Sequence, residues 1–283
     1  MQELWTIGRI LKWTEQYFKE KGIESPRLDA EVLLSHILGR ERIYLYVHFD
    51  EPLEPAELAR YREAIKQRVQ RVPVAYIIGE KEFMGLTFKV TEDTLVPRPD
   101  TEILVQAAIE RLRARGDAPR FADIGTGTGA ICLSVLHFLP KAQADTVDIS
   151  PAARAVAEEN AAALGASDRI TFHTGDLLAP LAGSYDAILS NPPYIPDDDI
   201  AALAPEVRLK EPHTALAGGK DGLDFYRRLT ADAPALLKDG GFLALEVGIH
   251  QATPVAALAV PSFSRTEILK DYAGIERVVI AWK

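Results

Sequence analysis

Asn191-Pro192-Pro193-Tyr194 brings a side-chain amide, two stiffened carbonyls and an aromatic face together within four residues. The stretch follows Tyr185-Asp186-Ala187-Ile188-Leu189-Ser190, a mostly apolar run with the character of a buried strand. Two consecutive prolines cannot continue a ladder, because each lacks an N–H and has its φ fixed. The chain must therefore leave the sheet at Asn191 in a stiff, extended or turned form. That point is the C-terminal edge of a strand, where open α/β sheets bind ligands. The Asn191 amide and the Pro192 carbonyl are then acceptors held in fixed places, with the Tyr194 ring alongside. A planar –NH2 group, with two donors and a flat face, matches that set. A Pro-rich turn after a strand would use the same residues, so a second motif must separate the two.

Asp123-Ile124-Gly125-Thr126-Gly127-Thr128-Gly129 follows Arg120-Phe121-Ala122 and precedes the apolar run Ala130–Leu136. The order is strand, glycine loop, helix N-terminus. Glycines there let the backbone turn tightly and let a ligand lie against bare peptide. The next strand, Ala144–Val147, ends at Asp148, and Ser150-Pro151 opens another helix. A carboxylate at that tip can accept both hydroxyls of a ribose, which suits either of two nucleoside cofactors. Gly125, Gly127 and Ala130 also satisfy the relaxed dinucleotide fingerprint, so the loop alone is compatible with a nicotinamide cofactor. The Asn-Pro-Pro-Tyr motif has no use in a dehydrogenase, and it decides against that cofactor.

Taken together, these motifs resemble those of S-adenosylmethionine-dependent methyltransferases that modify planar nitrogens. More closely, the chain resembles the peptide chain release factor N5-glutamine methyltransferase family over essentially its full length. The further matching segments are Ala75–Glu80, Phe83–Leu86, Leu95-Val96-Pro97-Arg98-Pro99-Asp100-Thr101-Glu102, Leu245-Glu246-Val247-Gly248, and Asp271–Gly274 with Arg277-Val278-Val279. The resemblance implies methylation of the glutamine side-chain nitrogen in the Gly-Gly-Gln motif of class-1 release factors. S-adenosyl-L-methionine would be the donor and S-adenosyl-L-homocysteine the product. Asn191, Pro192 and Tyr194 would be catalytic, and Asn191, Pro192, Pro193 and Tyr194 would bind the substrate amide. Gly125, Thr126, Gly127, Thr128, Gly129, Asp148, Asp176, Leu177 and Asn191 would bind the cofactor. Asp176 could equally be a helix cap or a surface turn. Glu246, inside an apolar strand, is a candidate orienting acid, since buried acids usually have partners. Another planar amine, adenine in nucleic acid or a glutamine of a ribosomal protein, remains the alternative substrate.

An amide nitrogen is a poor nucleophile, and a methyl sulfonium is already activated, so placement is the main task. Positioning of that kind is worth up to roughly 7–11 kcal/mol. No strong general base is required, because the amide proton becomes acidic once the methyl arrives. The six histidines (His36, His48, His137, His173, His213, His250) show no ligand spacing, and no metal is expected.

The elements that must hold these residues follow from pattern. Strands are expected near 121–123, 144–147, 170–173, 185–189, 241–247, 264–269 and 276–282, alternating with helices until the last pair. That alternation gives an α/β, doubly wound, mostly parallel seven-stranded sheet of Rossmann-like type, with an antiparallel hairpin at one edge. Residues 1–73 read as a small helical bundle. One helix carries Leu4, Ile7, Leu11, Thr14 and Phe18 on a stripe. A second runs from Ser25-Pro26 to Gly39 with Leu28, Val32, Leu33, Ile37 and Leu38. A third covers about Pro55–Arg71. The residues leave the bundle either a scaffold or a docking domain, and the family resemblance implies docking. Residues 74–95 read as a β-hairpin linker, with Val74–Ile78 and Leu86–Val90 as its strands. The methyltransferase domain would occupy 96–283.

At 283 residues, with 26% charged and 47% hydrophobic residues, the chain has ordinary globular composition. It has no run of roughly 20 apolar residues to span a membrane and no signal-peptide start. The one cysteine, Cys132, allows no internal disulfide, and a cytoplasmic location is expected. The net charge is −9, with most of the acidic excess beyond residue 80. A duplex-DNA enzyme would carry a basic footprint, so no stable nucleic-acid binding is expected.

Overall fold

A computed structural model describes residues 4–283 and divides the chain into two units. The first comprises the chain up to Gly79 together with a later stretch, Ala204–Lys210. Its helices are α1 (Ile7–Glu20), α2 (Pro26–Leu38), α3 (Arg42–Val47), α4 (Pro55–Val69) and α5 (Val74–Ile78). Ile7, Ile10, Phe18, Leu33, Leu34, Tyr61 and Ile65 form its core. The second unit, Glu80–Leu203 with Glu211–Lys283, holds all the strands among the described residues.

Two expectations for the first unit need correction. Val74–Ile78 is a short helix, not a strand. A five-residue apolar run has no period of its own, and here Val74, Ile77 and Ile78 pack on the bundle core at helical spacing. Gly79, at φ 85°, ends the helix in the left-handed conformation. The hairpin lies just beyond, pairing β1 (Glu80–Phe83) with β2 (Leu86–Lys89). Met84 and Gly85 both have positive φ in its two-residue turn.

The second correction concerns the buried face of α2. Leu28 is exposed, whereas Asp29 and Glu31 are buried. Both acids are buried with partners. Glu31 accepts from Arg27 (2.8 Å), Arg42 (2.7 Å) and the Tyr46 hydroxyl (2.7 Å). Arg68 of α4, 4% exposed, donates to Asp29 at 2.7 Å and to Glu206 of the later stretch at 2.8 Å. Burial is tolerable because every charge is answered. Ser25 makes no side-chain cap to α2. Its carbonyl accepts from Asp29 N, and Pro26 supplies the preset first turn.

The second unit is built on a seven-stranded sheet. After α6 (Thr101–Arg113) come β3 (Arg120–Ile124), α7 (Ala130–Phe138), β4 (Gln143–Asp148), α8 (Pro151–Ala163), β5 (Ile170–Thr174) and β6 (Tyr185–Ser190). The chain then makes α9 (Pro205–Lys210), the helix of the stretch in the first unit, followed by α10 (Asp224–Leu236), β7 (Leu237–Glu246), α11 (Ala252–Ala259), β8 (Arg265–Lys270) and β9 (Glu276–Trp282). The sheet order is β5-β4-β3-β6-β7-β9-β8, parallel except that β9 runs antiparallel to both β7 and β8. The fold is therefore the doubly wound, mostly parallel sheet that the alternation predicts, with its antiparallel hairpin at one edge.

Period-two alternation divides the sheet's side chains between two cores. Phe121, Ala187, Leu189, Phe242, Ala244, Val278 and Ile280 meet α6 and α7. Ala122, Ile188, Leu243, Leu245, Val279 and Ala281 meet α10 and α11. No helix among the described residues is long and apolar enough to cross a membrane.

Candidate active site

The tips of β3, β4, β5 and β6 surround one cavity of about 380 Å³. The loop after β3 turns through Gly125, Gly127 and Gly129, at φ 82°, 53° and 80°. A side chain at any of the three would be strained, and at Gly129 a Cβ would also sit 2.9 Å from Leu133. The loop is fastened at its start. Gly125 N and Thr126 N both donate to the Val147 carbonyl (2.9 and 3.1 Å), and the Thr126 and Thr146 hydroxyls are hydrogen-bonded to each other. Asp148, at the tip of β4, accepts from Gly127 N at 2.8 Å with one oxygen and from Ser150 N at 2.9 Å with the other. A carboxylate has about four acceptor positions, so two remain for a ligand.

Asp123, at the head of the glycine motif, lies fully buried beneath the loop. Burial pushes its carboxyl up to about 7, against the pull of the Cys132 N–H it accepts at 3.2 Å. Its Oδ1 has no hydrogen-bond partner.

Strand β6 is buried throughout, and the Ser190 hydroxyl ties its end to the Ile124 carbonyl at 2.7 Å. The chain then departs from the sheet at Asn191-Pro192-Pro193-Tyr194. Its course is fixed by pairing further on: Ile195 N donates to Leu216 O at 3.0 Å and Gly218 N to Ile195 O at 2.8 Å. Gln251 Nε2 donates to the Tyr194 carbonyl at 2.9 Å. The Asn191 side chain is oriented too, with Nδ2 donating to the Thr101 hydroxyl at 3.2 Å.

Of the residues expected at the site, Gly125, Thr126, Gly127, Thr128, Asp148, Asp176, Leu177, Asn191 and Pro193 line the cavity. Gly129, Pro192 and Tyr194 do not. Gly129 opens α7, Pro192 is buried, and Tyr194 packs against the core under α10 and α11, where burial pushes its hydroxyl up to about 12. Asp176 also forms a 2.6 Å ion pair with Arg228.

Sequence reasoning quoted Phe83, Leu95, Pro97, Ile131 and Thr101 within matching or apolar segments without giving them a place at the site, and passed over Phe225; the structure puts all six at the cavity wall. Thr101 had a signal, being a hydroxyl at the start of a helix set by Pro97-Arg98-Pro99. His213 and Thr214, also at the wall, lie in a single 3-10 turn, His213–Ala215, too short for any period to mark. That segment is braced by Arg98, which reaches Glu211 at 2.5 Å. Glu211 is otherwise deeply buried, and burial raises its carboxyl.

A family model described as the Methyltransferase small domain matches residues 100–217, and one described as the PrmC N-terminal domain matches residues 9–79. A solved methyltransferase from Pyrococcus furiosus shares the fold, with a TM-score of 0.55 at 18% identity over 81% of this chain and 99% of that one. Sheet order, glycine loop and family match together make this protein a methyltransferase. A release factor glutamine methyltransferase from Geobacter sulfurreducens is 47% identical over 98% of this chain and 96% of its own length. Another, from Moorella thermoacetica, is 47% identical over 93% of each chain. The chain belongs to the release factor glutamine methyltransferase family.

Proposed function

We propose that this enzyme transfers a methyl group from S-adenosylmethionine to the side-chain nitrogen (N5) of the glutamine in the Gly-Gly-Gln motif of class-1 peptide chain release factors. The release factor substrate follows from the relatives, and the observation in the site that supports a planar –NH2 group there is the orientation of Asn191. Its Nδ2 is engaged by Thr101, so its Oδ1 is the end left to accept from a substrate –NH2 group. The residues present fit the donor. Three positive-φ glycines bare the backbone beside Asp148, whose carboxylate keeps acceptor capacity, and apolar walls face them.

When bound, S-adenosylmethionine supplies a methyl group activated on a sulfonium and leaves as S-adenosylhomocysteine. Asn191 Oδ1, at the cavity wall, takes one N–H bond of the glutamine amide; the Pro192 carbonyl, on the buried residue next to it, is assigned the other, and the pair aims the nitrogen along the line of transfer. The same two acceptors favour the positive charge that grows on that nitrogen. Pro193 walls the amide, while Tyr194 supports the loop from behind and keeps water from that side. Asp148 would hold the ribose hydroxyls, and Asp176-Leu177 would hold the adenine. The proton leaves the methylated nitrogen for solvent without a dedicated base.

The helical unit is the partner-recognition part of the same reading. It holds none of the residues at the cavity and presents exposed Ile43, Tyr46, Val47 and Phe49. Transfer of labelled methyl groups to purified release factor, total ribosomal protein and DNA, assayed in parallel, tests the substrate. Label on the release factor glutamine is expected; label confined to DNA or ribosomal protein would overturn the assignment.

A further inference from the structure

Glu246 ends β7 with its side chain 2% exposed, and its Oε2 has no hydrogen-bond partner. A buried carboxylate oxygen left unanswered is costly, so its neighbours matter. Ser190 of β6 pairs with Leu245 of β7, which puts the next residues, Asn191 and Glu246, side by side at adjoining strand tips. Phe242 and Ala244 face α6, and alternation turns Glu246 to the same side. Thr101 is the first residue of α6, and its hydroxyl meets Asn191 Nδ2. Three side chains thus converge: a hydroxyl and an amide at the cavity wall, and an acid behind them.

We propose that Glu246 is a positioning residue that acts through Thr101 to fix which end of the Asn191 amide faces the cavity. The inference rests on Asn191 being the acceptor for the substrate amide. The two ends of an asparagine side chain have nearly the same shape but opposite hydrogen-bonding character. Thr101 alone cannot choose between them, because a hydroxyl can donate or accept. An ionised carboxylate only accepts. When it takes the Thr101 proton, the hydroxyl keeps only lone pairs for Asn191, which must then present Nδ2. Oδ1 is left for the substrate. A protonated Glu246 would donate to Thr101 instead, and the freed hydroxyl proton could turn the Asn191 amide around.

The charges around Glu246 make that switch reachable. Burial raises its carboxyl to about 7. The Thr101 hydroxyl opposes the rise, the Asp100 carboxylate adds to it, and Arg277 of β9 and the Asn191 amide oppose it. Tyr194 and, from α10, Tyr226 face it as neutral phenols, each with its hydroxyl pushed up first by burial. The Tyr226 hydroxyl donates to the Glu246 backbone carbonyl at 2.8 Å, which holds the strand tip without using the carboxylate. Above about pH 7 the acid is charged and the amide is held; below it, orientation is lost.

The test is steady-state methylation of a glutamine-bearing release factor across pH 6–9 by wild type, Glu246→Gln, Asn191→Ala and the double variant. Binding of S-adenosylhomocysteine is followed by calorimetry. Glu246→Gln is expected to lower kcat by about 10–100-fold, the rate equivalent of one hydrogen bond to a charged group. KM and product affinity should change little, and the acid limb near pH 7 should disappear. In the double variant the losses should not multiply, since both residues serve one acceptor. Thr101→Ser should retain activity where Thr101→Val does not, which gives an independent reading should Glu246→Gln fold poorly. An impaired Asn191→Ala beside an unchanged Glu246→Gln, or fully multiplicative losses, would overturn the positioning role alone. An unimpaired Asn191→Ala would overturn the acceptor role of Asn191, and this inference with it.

Discussion

A single side-chain oxygen is the key residue-scale feature of this enzyme. Asn191 is held by its nitrogen, so the contribution proposed for it is directional and not merely polar. Asn191→Ala is expected to lower kcat by about 10²–10³, the usual consequence of removing one preorganised group at a developing charge. Affinity for S-adenosylhomocysteine should move far less. Near-normal turnover by a folded Asn191→Ala enzyme would rule out the amide grip. Asp148, proposed for the cofactor side, also has a structural task, because it anchors Gly127 N and Ser150 N. Asp148→Ala should weaken product binding by roughly 1.5–3 kcal/mol, as loss of a hydrogen bond to a charged group does. Calorimetry checks this, and an unaltered affinity would place the ribose elsewhere.

At the scale of elements, α2, α4 and α9 share one buried arginine. Arg68 bridges Asp29 and Glu206, so its removal leaves two acids short of their cation. Arg68→Ala should destabilise the helical unit by about 3–5 kcal/mol, whereas replacing all three members with apolar residues of similar volume should recover most of the loss. Chemical denaturation followed by circular dichroism measures both, and a neutral Arg68→Ala would show that water reaches the acids. This network also marks where the sequence ceased to be legible. Strands β3 to β9 were readable because each has an apolar run and a turn at its end. The motifs were readable because Gly125–Gly129 and Asn191–Tyr194 break those runs at strand ends, and because the two occur together. The burial of Asp29 and Glu31 was not, since Asp29's partner Arg68 lies 39 positions away on α4 and also serves Glu206, a further 138 positions on, while Glu31 draws on Arg42 and Tyr46 of α3. Val74–Ile78 misled for the opposite reason: it is too short for its apolar residues to reveal a period. The apolar cavity walls, Phe83 and Leu95 among them, look like any core residues until the fold brings them together.

For the whole molecule, every residue proposed for the chemistry lies in the second unit, and the first is proposed to hold the partner. Ile43 and Val47 of α3 are 64% and 71% exposed, which makes their replacement harmless to the bundle. Ile43→Asp with Val47→Asp should raise KM for intact release factor about tenfold, as loss of an interface anchor does, while leaving kcat and KM for a short Gly-Gly-Gln peptide unchanged. Equal kinetics on both substrates would make the bundle a scaffold. The sheet order has a different consequence, one of timing. β9 is made after every other strand, yet it lies between β7 and β8 and supplies the partner for Glu246 through Val278. During synthesis β7 therefore has an open edge beside the catalytic tip, and β8 has no neighbour at all, until β9 emerges. Parallel strands with distant partners fold slowly and expose such edges. A chain that stops short of β9 can hold the glycine loop and Asn-Pro-Pro-Tyr in place on β3 and β6, but it lacks the strand that flanks Glu246.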